Sequence, residues 1–245
     1  KEPLSKSSTA IPTIIINGYN VQADKLKLFV LKNDLFYPTC KIKFADNDAL
    51  FTARHYPKDG DLIQVNIRSQ GDETTFKPIR IDFSVVDCMP VGGGGGVSPS
   101  QYLITGRMFV PKLFTENVEY QEQVTSWDAL LNIAELMELG YASNVEQTDD
   151  VMNWTNPNDT TETWIQDIVA NSYLSDETFF TSYIDPYYYL TMVDVNRLFS
   201  QEGAIEAMAT FPTNASDTVG ASGADTIEET PMPYMLSNMT QFQGG

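Results

Sequence analysis

The chain has 245 residues, enough for one large domain or two small ones, and 42% of them are hydrophobic, which excludes a wholly disordered protein. Lys and Arg number 15 against 33 Asp and Glu, and the resulting net charge of −18 argues against a protein that grips nucleic-acid phosphates. Two cysteines and one histidine exclude a disulfide scaffold, a zinc finger and a two-histidine zinc motif. No apolar run approaches the roughly 18 residues that a membrane helix needs, so we predict no membrane partner.

Charge is distributed unevenly along the chain. Residues 1–112 carry 14 basic and 11 acidic residues, a net charge of +3, whereas residues 113–245 carry Arg197 alone against 22 acids, a net charge of −21. Such asymmetry indicates separate structural units in different surroundings. The acidic half is interpreted either as a solubilising surface or as a wall in an assembly that must not adhere to a polyanion.

Residues 1–24 are predicted to form an N-terminal arm. Its apolar run Ile11–Ile16 contains Pro12, which confines such a run to an edge strand or to the start of a strand.

Residues 25–123 are predicted to form a small antiparallel β-barrel or sandwich. Apolar residues alternate with mostly polar ones in four segments, which is typical of strands with one solvated face. The apolar positions are Leu26, Leu28 and Val30; Cys40, Ile42 and Phe44; Ile63, Val65 and Ile67; and Ile79, Ile81, Phe83 and Val85. Turn residues separate the segments, as in Pro57-Lys58-Asp59-Gly60-Asp61.

Five consecutive glycines, Gly92–Gly96, precede the last predicted strand of this region, Tyr102–Phe109. A phosphate-binding loop would continue with Lys-Ser or Lys-Thr, but Val97-Ser98-Pro99 follows. We therefore predict a mobile hairpin tip without a ligand.

Residues 124–199 are predicted to form a helical and hairpin domain. Thr125 can cap a helix with Asp128 as its capping partner, and Gly140 is expected to end that helix. Apolar side chains recur at helical spacing in this helix and in a second helix that starts near Asp159-Thr160. The first face contains Trp127, Leu130, Leu131, Ala134 and Met137; the second contains Trp164, Ile165, Ile168 and Val169. We expect Trp127, Trp154 and Trp164 to lie in or near the core of this domain.

Residues 178–195 are predicted to form a β-hairpin that turns at Asp185-Pro186. The run Tyr187–Tyr189 could be a platform for sugars, but tyrosines more often bury the ring and keep the hydroxyl in solvent. Residues 200–245 are rich in small and polar residues and are predicted to be a linker or the start of a second barrel.

The sequence contains side chains that could act in catalysis or bind a metal, but no recognisable catalytic or metal-binding motif contains them. A glycosidase would need two paired carboxylates, and the candidates are Asp149-Asp150, Asp185, Asp194 and Glu228-Glu229. Asp46-Asn47-Asp48 resembles the start of a calcium loop but lacks the glycine and the distal glutamate. His55 has no nucleophile motif and is placed at a strand end, and Cys40 and Cys88 are interpreted as buried thiols. We therefore predict no catalytic, cofactor-binding or metal-binding residue, no cofactor and no enzymatic activity.

The order of a strand-rich barrel, two helices, a Phe/Tyr-rich hairpin and a polar linker resembles the central baseplate hub of contractile-tailed phages. That family is related to the N-terminal region of the VgrG spike proteins of type VI secretion. The resemblance covers about residues 25–198 and rests on several short segments. They are Leu26–Val30, Gly60–Ile63, Ile104–Gly106, Thr125–Leu131, Met152–Trp154, Trp164–Ile168 and Phe179–Asp185.

The resemblance implies an α+β fold with a small antiparallel barrel, a helix-and-hairpin domain and a truncated or missing second barrel. It implies a homotrimeric ring in the baseplate of the virion tail, assembled in the host cytoplasm. The ring would adapt the hexameric tail tube above to the trimeric central spike below, touch other baseplate proteins, and let DNA pass through its lumen without specific binding. An acidic lumen would repel that DNA.

Two other functions stay open from the sequence. An extracellular carbohydrate-binding or adhesin module would explain the tyrosines and the acidity. An acidic hydrolase such as a tail lysozyme would need a carboxylate pair in one cleft.

Overall fold

A computed structural model describes residues 12–33, 36–68, 78–91 and 100–200. Gly92–Gly96 lie outside the described residues, and so do residues 201–245, for which a linker or second barrel was predicted. All strands and helices described below belong to one compact unit that ends at Phe199, apart from Ser200 at the end of the last helix.

Seven antiparallel strands form the main sheet. They are β1 (Thr13–Ile16), β2 (Tyr19–Val21), β3 (Leu26–Lys32), β4 (Thr39–Asp46), β5 (Leu62–Ile67), β6 (Ile79–Pro90) and β7 (Ser100–Met108). Their order in the sheet is β2-β1-β5-β6-β7-β4-β3, so β2 and β3 are its edges. A π-helical turn, Phe51–His55, follows β4.

The predicted alternation places one face of this sheet in the core. Five side chains from four different strands are fully buried there: Ile42, Phe44, Ile63, Phe83 and Ile104. The burial of this apolar face is the main source of the sheet's stability.

The sheet curls so that its two ends approach each other. The ring centroid of Tyr19 in edge strand β2 lies 6.0 Å from that of Phe44 in β4 and 5.5 Å from that of Phe51. Lys25, at the start of the opposite edge, donates to the Tyr19 hydroxyl over 3.4 Å. The result is a half-closed barrel, which confirms the predicted α+β fold with a small antiparallel barrel.

The predicted N-terminal arm is not separate from the barrel where it is described. β1 pairs with both β2 and β5, so it lies inside the sheet rather than at an edge. Ile14 and Ile16 are fully buried, which explains why this segment joins the sheet. Pro12 immediately precedes β1, as expected for a proline at a strand start.

Strand β3 departs from the predicted alternation. A register shift between Leu26 and Leu28 inserts a bulge, and Leu28 then pairs with Lys43 on the outer face. A one-residue shift turns every later side chain to the opposite face. Leu28 and Val30 therefore point outward, while Phe29 packs against the core.

The remaining elements form two small sheets with the helices. The elements are β8 (Glu116–Val124), α1 (Ser126–Leu136), β9 (Gly140–Ser143), β10 (Met152–Thr160), α2 (Thr161–Ala170), β11 (Phe180–Ile184), β12 (Tyr189–Asp194) and α3 (Val195–Ser200). β8 and β10 form an antiparallel ribbon. β11 and β12 form the predicted hairpin, and β9 runs parallel to β12.

The predicted helix caps are present. The Thr125 hydroxyl accepts from the Asp128 N–H over 3.2 Å and donates to the Asp128 carboxylate over 2.8 Å. Thr160 caps α2 by accepting from the Thr163 N–H. These bonds satisfy amide donors that have no partner within a helix.

The first helix ends earlier than predicted, at Leu136 rather than at Gly140. Glu138 adopts a left-handed φ of 60°, and the Leu139 N–H donates to the Ala134 carbonyl over 2.9 Å. This is the hydrogen-bond pattern of a Schellman motif, here without glycine. Gly140 instead begins β9. A Cβ there would lie 2.5 Å from the ring of Tyr189, so the close approach of that ring requires glycine.

The three tryptophans lie in or against the core, as predicted. Trp154 and Trp164 are 6% and 3% exposed, and Trp127 is half-buried against the core. The indole N–H of Trp127 donates to the Val145 carbonyl, and that of Trp154 to the Val124 carbonyl.

In the ranges that the structure describes, no helix is both long enough and apolar enough to span a membrane.

Candidate assembly interface

The candidate carboxylates bind backbone amides rather than one another. Asp150 is buried and accepts from the N–H groups of Ser126 and Tyr173 at 2.9 and 2.8 Å. Asp185 accepts from the N–H groups of Tyr187 and Tyr189 in the hairpin turn. Asp150 therefore stabilises the start of α1, and Asp185 stabilises the hairpin turn.

Asp194 has a similar role at the end of β12. It is buried, and its carboxylate accepts from the N–H groups of Phe179 and Asn196. Asp149 is exposed next to Asp150, and Glu228-Glu229 lie outside the described residues. The structure therefore does not assemble the described candidates into an acid and nucleophile pair.

The residues that resembled a calcium loop are engaged by protein donors. Asp46 accepts from the N–H and the hydroxyl of Thr52 at 3.1 and 2.8 Å, which fixes the π-helical turn to β4. Asp48 forms an ion pair of 3.0 Å with Lys25. The hydrogen bond from Lys25 lowers the pKa of Asp48, and the same bond raises the pKa of Lys25. Among the described residues, no three His, Cys, Asp or Glu side chains converge on a point that could hold a metal ion.

His55 and the cysteines also have structural surroundings. His55 ends the π-helical turn, not a strand as predicted, and its Nδ1 lies 3.0 Å from the Asn17 carbonyl. Cys40 is a buried free thiol whose pKa rises to about 12 because burial disfavours the thiolate. Cys88 is free and only half-buried, and its pKa is also raised by desolvation.

The tyrosine run joins the hairpin to the barrel. The Tyr188 hydroxyl accepts from the Asp82 N–H over 2.9 Å, so it is not left to solvent as the preferred interpretation assumed. The ring of Tyr188 packs against the core, and that of Tyr189 covers Gly140. The Tyr188 ring is therefore part of the fold, whereas Tyr189 covers Gly140 and stays 41% exposed.

Two exposed apolar side chains of the acidic half lie together on the ribbon formed by β8 and β10. Val118 is 72% exposed and Tyr120 is 55% exposed. They pair with Pro157 and Thr155, so all four side chains share one face of the ribbon. Exposed Glu116 and Glu122 flank them at either end of β8. We call these six residues the ribbon face.

A second, partly exposed surface lies on the outer side of the main sheet. One row across four strands joins Leu28, Lys43, Leu103 and Met89, as successive cross-strand partners. The next row joins Val30, Lys41, Thr105 and Asp87. We call these eight residues the sheet face.

The sheet face combines apolar and basic groups. Leu28 and Met89 are 44% and 42% exposed, and Lys41 is also exposed. Lys43 is half-buried beside them. Asp87, in β6, is the acidic residue at the end of the second row. The net charge of the sheet face is therefore +1, against −2 for the ribbon face.

Sequence reasoning missed the ribbon altogether. β8 was assigned to the barrel of residues 25–123 and β10 to the helical domain of residues 124–199, but they pair with each other. A usable signal is the alternation of Val118 and Tyr120 with polar residues in Glu116–Gln121.

No protein-family model matches the sequence, and no curated protein matches it significantly. Solved structures do match. The 43 kDa tail protein of prophage MuSo2 from Shewanella oneidensis has a TM-score of 0.51 and 13% identity, over 75% of this chain and 54% of that chain. The tail protein from Neisseria meningitidis MC58 has a TM-score of 0.46 and 11% identity, over 74% and 49%. A chain of the Francisella PdpA–VgrG complex has a TM-score of 0.41 and 10% identity, over 79% and 33%.

The first of these likenesses shows that the chain has the fold of a prophage tail protein. It confirms, at the level of the fold, the resemblance to phage tail proteins that the sequence indicated. The chain spans about half the length of the two tail proteins that it matches.

Proposed function

We propose that the chain is a non-enzymatic structural component of the baseplate central hub of a phage tail. Three copies form a ring that adapts the hexameric tail tube to the trimeric central spike. The ring is part of the DNA-ejection channel and is located in the virion tail.

The observation that carries the proposal is the shared fold with the prophage tail protein, which extends over 75% of the chain. Support comes from the candidate acids, since Asp150, Asp185 and Asp194 each accept hydrogen bonds from two backbone amides. The net charge of −18 fits a channel wall that repels DNA.

The proposed domains are an N-terminal arm over residues 1–24, a barrel over 25–123, a helix-and-hairpin domain over 124–199, and a linker or second barrel from residue 200. The pairing of β1 with β5 and of β8 with β10 modifies this division, because it joins residues 13–21 to the barrel and β8 to the second domain.

Binding of the purified chain to the tail-tube protein of the same phage tests the function. We expect the tube protein to be retained on the immobilised chain, and negative-stain images of the complex to show a threefold ring at the tube end. An immobilised chain that binds glycans and not the tube protein would instead support the adhesin alternative.

A further inference from the structure

We propose that the ring is closed by a heterologous contact in which the ribbon face of one copy packs on the sheet face of the next copy. This inference rests on the proposed hub function, because it names the surfaces by which the copies of that hub assemble.

The first support is charge complementarity. The ribbon face presents Glu116 and Glu122 at its two ends, whereas the sheet face presents Lys41 and Lys43 in neighbouring rows of the same strand. Opposite potentials on two contacting surfaces set the register of a complex and disfavour wrong partners. Two copies meeting through like faces would place Glu against Glu or Lys against Lys, so unlike faces are favoured.

The second support is apolar area on both surfaces. Val118 and Tyr120 project from the ribbon between the two glutamates, and Leu28 and Met89 lie in one row with Lys43. On the ribbon face the apolar side chains lie between charged residues, which is the usual composition of a protein interface. On the sheet face Lys43 lies in the inner strand β4, between Leu28 and Leu103. Exposed apolar side chains that lie together are also unfavourable in water unless a partner covers them.

The third support is topological. The two surfaces are different patches of one chain, and contact between different patches places copies head to tail. A head-to-tail contact closes into a ring when the rotation between copies divides a full turn. A symmetric two-fold contact could not produce the threefold ring of the proposed hub.

Charge reversal in the full-length chain tests the contact. The sheet-face variant is Lys41→Glu with Lys43→Glu, the ribbon-face variant is Glu116→Lys with Glu122→Lys, and a third protein carries all four substitutions. The control, Glu135→Lys with Asp167→Lys, makes the same charge change as the ribbon-face variant, at exposed positions of α1 and α2. Thermal melting confirms that each protein is folded, and light scattering over a concentration series measures self-association.

We expect each two-site reversal on the proposed surfaces to weaken association about tenfold or more. The four-site protein restores it, and the control behaves like the unmodified chain. Val118→Ser, at a 72% exposed position, weakens association without lowering the melting temperature. Raising the salt from ~0.1 to ~1 M weakens the unmodified ring, because the screening length falls from ~10 to ~3 Å.

A ring that persists in both folded two-site variants, or that the four-site protein does not restore, overturns this inference and leaves the hub function standing. An unmodified chain that stays monomeric at high concentration and low salt removes the ring on which both depend. Loss of tube binding in the ribbon-face variant, with the ring intact, would identify the tube protein as the occupant of that face.

Discussion

At the scale of single residues, the core of the half-barrel is packed too closely to accept added atoms. Gly106 in β7 is the clearest case, since a Cβ there would lie 3.0 Å from the Cys40 sulfur, from Ile63 Cδ1 and from Phe83 Cβ. The segment Ile104–Gly106 was among those that carried the family resemblance. Its glycine thus has a steric role that the sequence pattern alone could not reveal.

We predict that Gly106→Val lowers the free energy of unfolding by about 1–3 kcal/mol, because overpacking forces neighbouring side chains and backbone to shift. Urea unfolding of the full-length chain measures it. Thr105→Val, on the outer face next to it, is the control and is expected to change the stability little. Equal stability of both variants would contradict the close packing.

Cys40 gives a chemical prediction at the same scale. Its burial raises the pKa to about 12, so the reactive thiolate is scarce near neutral pH. We expect iodoacetamide to leave Cys40 unmodified in the folded chain and to modify it after denaturation in urea, as measured by mass spectrometry of peptides. Modification of Cys40 at the same rate in both states would show that the residue is accessible.

The ion pair of Lys25 and Asp48 predicts a small pH dependence. The bond lowers the pKa of Asp48, so its contribution is present above the ordinary carboxyl pKa of ~3.9 and is lost as the pH falls through the lowered value. Asp48→Asn should therefore remove part of the loss of melting temperature on acidification. The change is small because Asp48 is 44% exposed. A variant with the same acid dependence as the unmodified chain would contradict the role of this pair.

At the scale of elements, buried hydrogen bonds hold the helices to the loops around them. Asp150 is the central group of this kind, because it joins the first residue of α1 to Tyr173, shortly after α2. In the sequence, Asp150 was only one of several candidate carboxylates. Its burial depends on contacts between distant segments, which local patterns do not encode.

We predict that Asp150→Ala destabilises the chain by about 1–3 kcal/mol for each amide left without a partner. Asp149→Ala, the exposed neighbour, removes the same charge from the next position and is expected to be nearly neutral. Thermal melting compares the two. Similar losses for both variants would show that charge, rather than the hydrogen bonds of Asp150, matters here.

Prediction of elements from the sequence succeeded where periodicity and capping agree. Thr125 and Thr160 were placed at the starts of α1 and α2, and the hairpin turn at Asp185 was located, because each signal is local. The ribbon was missed because Pro157 and two register shifts interrupt the alternation of β10. The outward orientation of Leu28 and Val30 in β3 was not predicted, because one bulge after Leu26 reverses which side chains face the core.

At the scale of the whole molecule, the uneven charge has a structural counterpart. The basic half of the sequence supplies the lysines of the sheet face, and the acidic half supplies the glutamates of the ribbon face. The two faces were not predictable, because both depend on which side of a strand each residue occupies. The fold of a tail protein was predictable, because the order of elements along the chain is visible in the sequence.

The mass of the chain in solution tests whether it assembles as the proposed ring of a phage tail hub. Light scattering coupled to size-exclusion chromatography of the full-length chain at low salt gives that mass. We predict a species of three copies, and electron micrographs of the same fraction should show a threefold ring with an axial opening. A chain that remains a monomer at the highest soluble concentration would contradict the proposed ring.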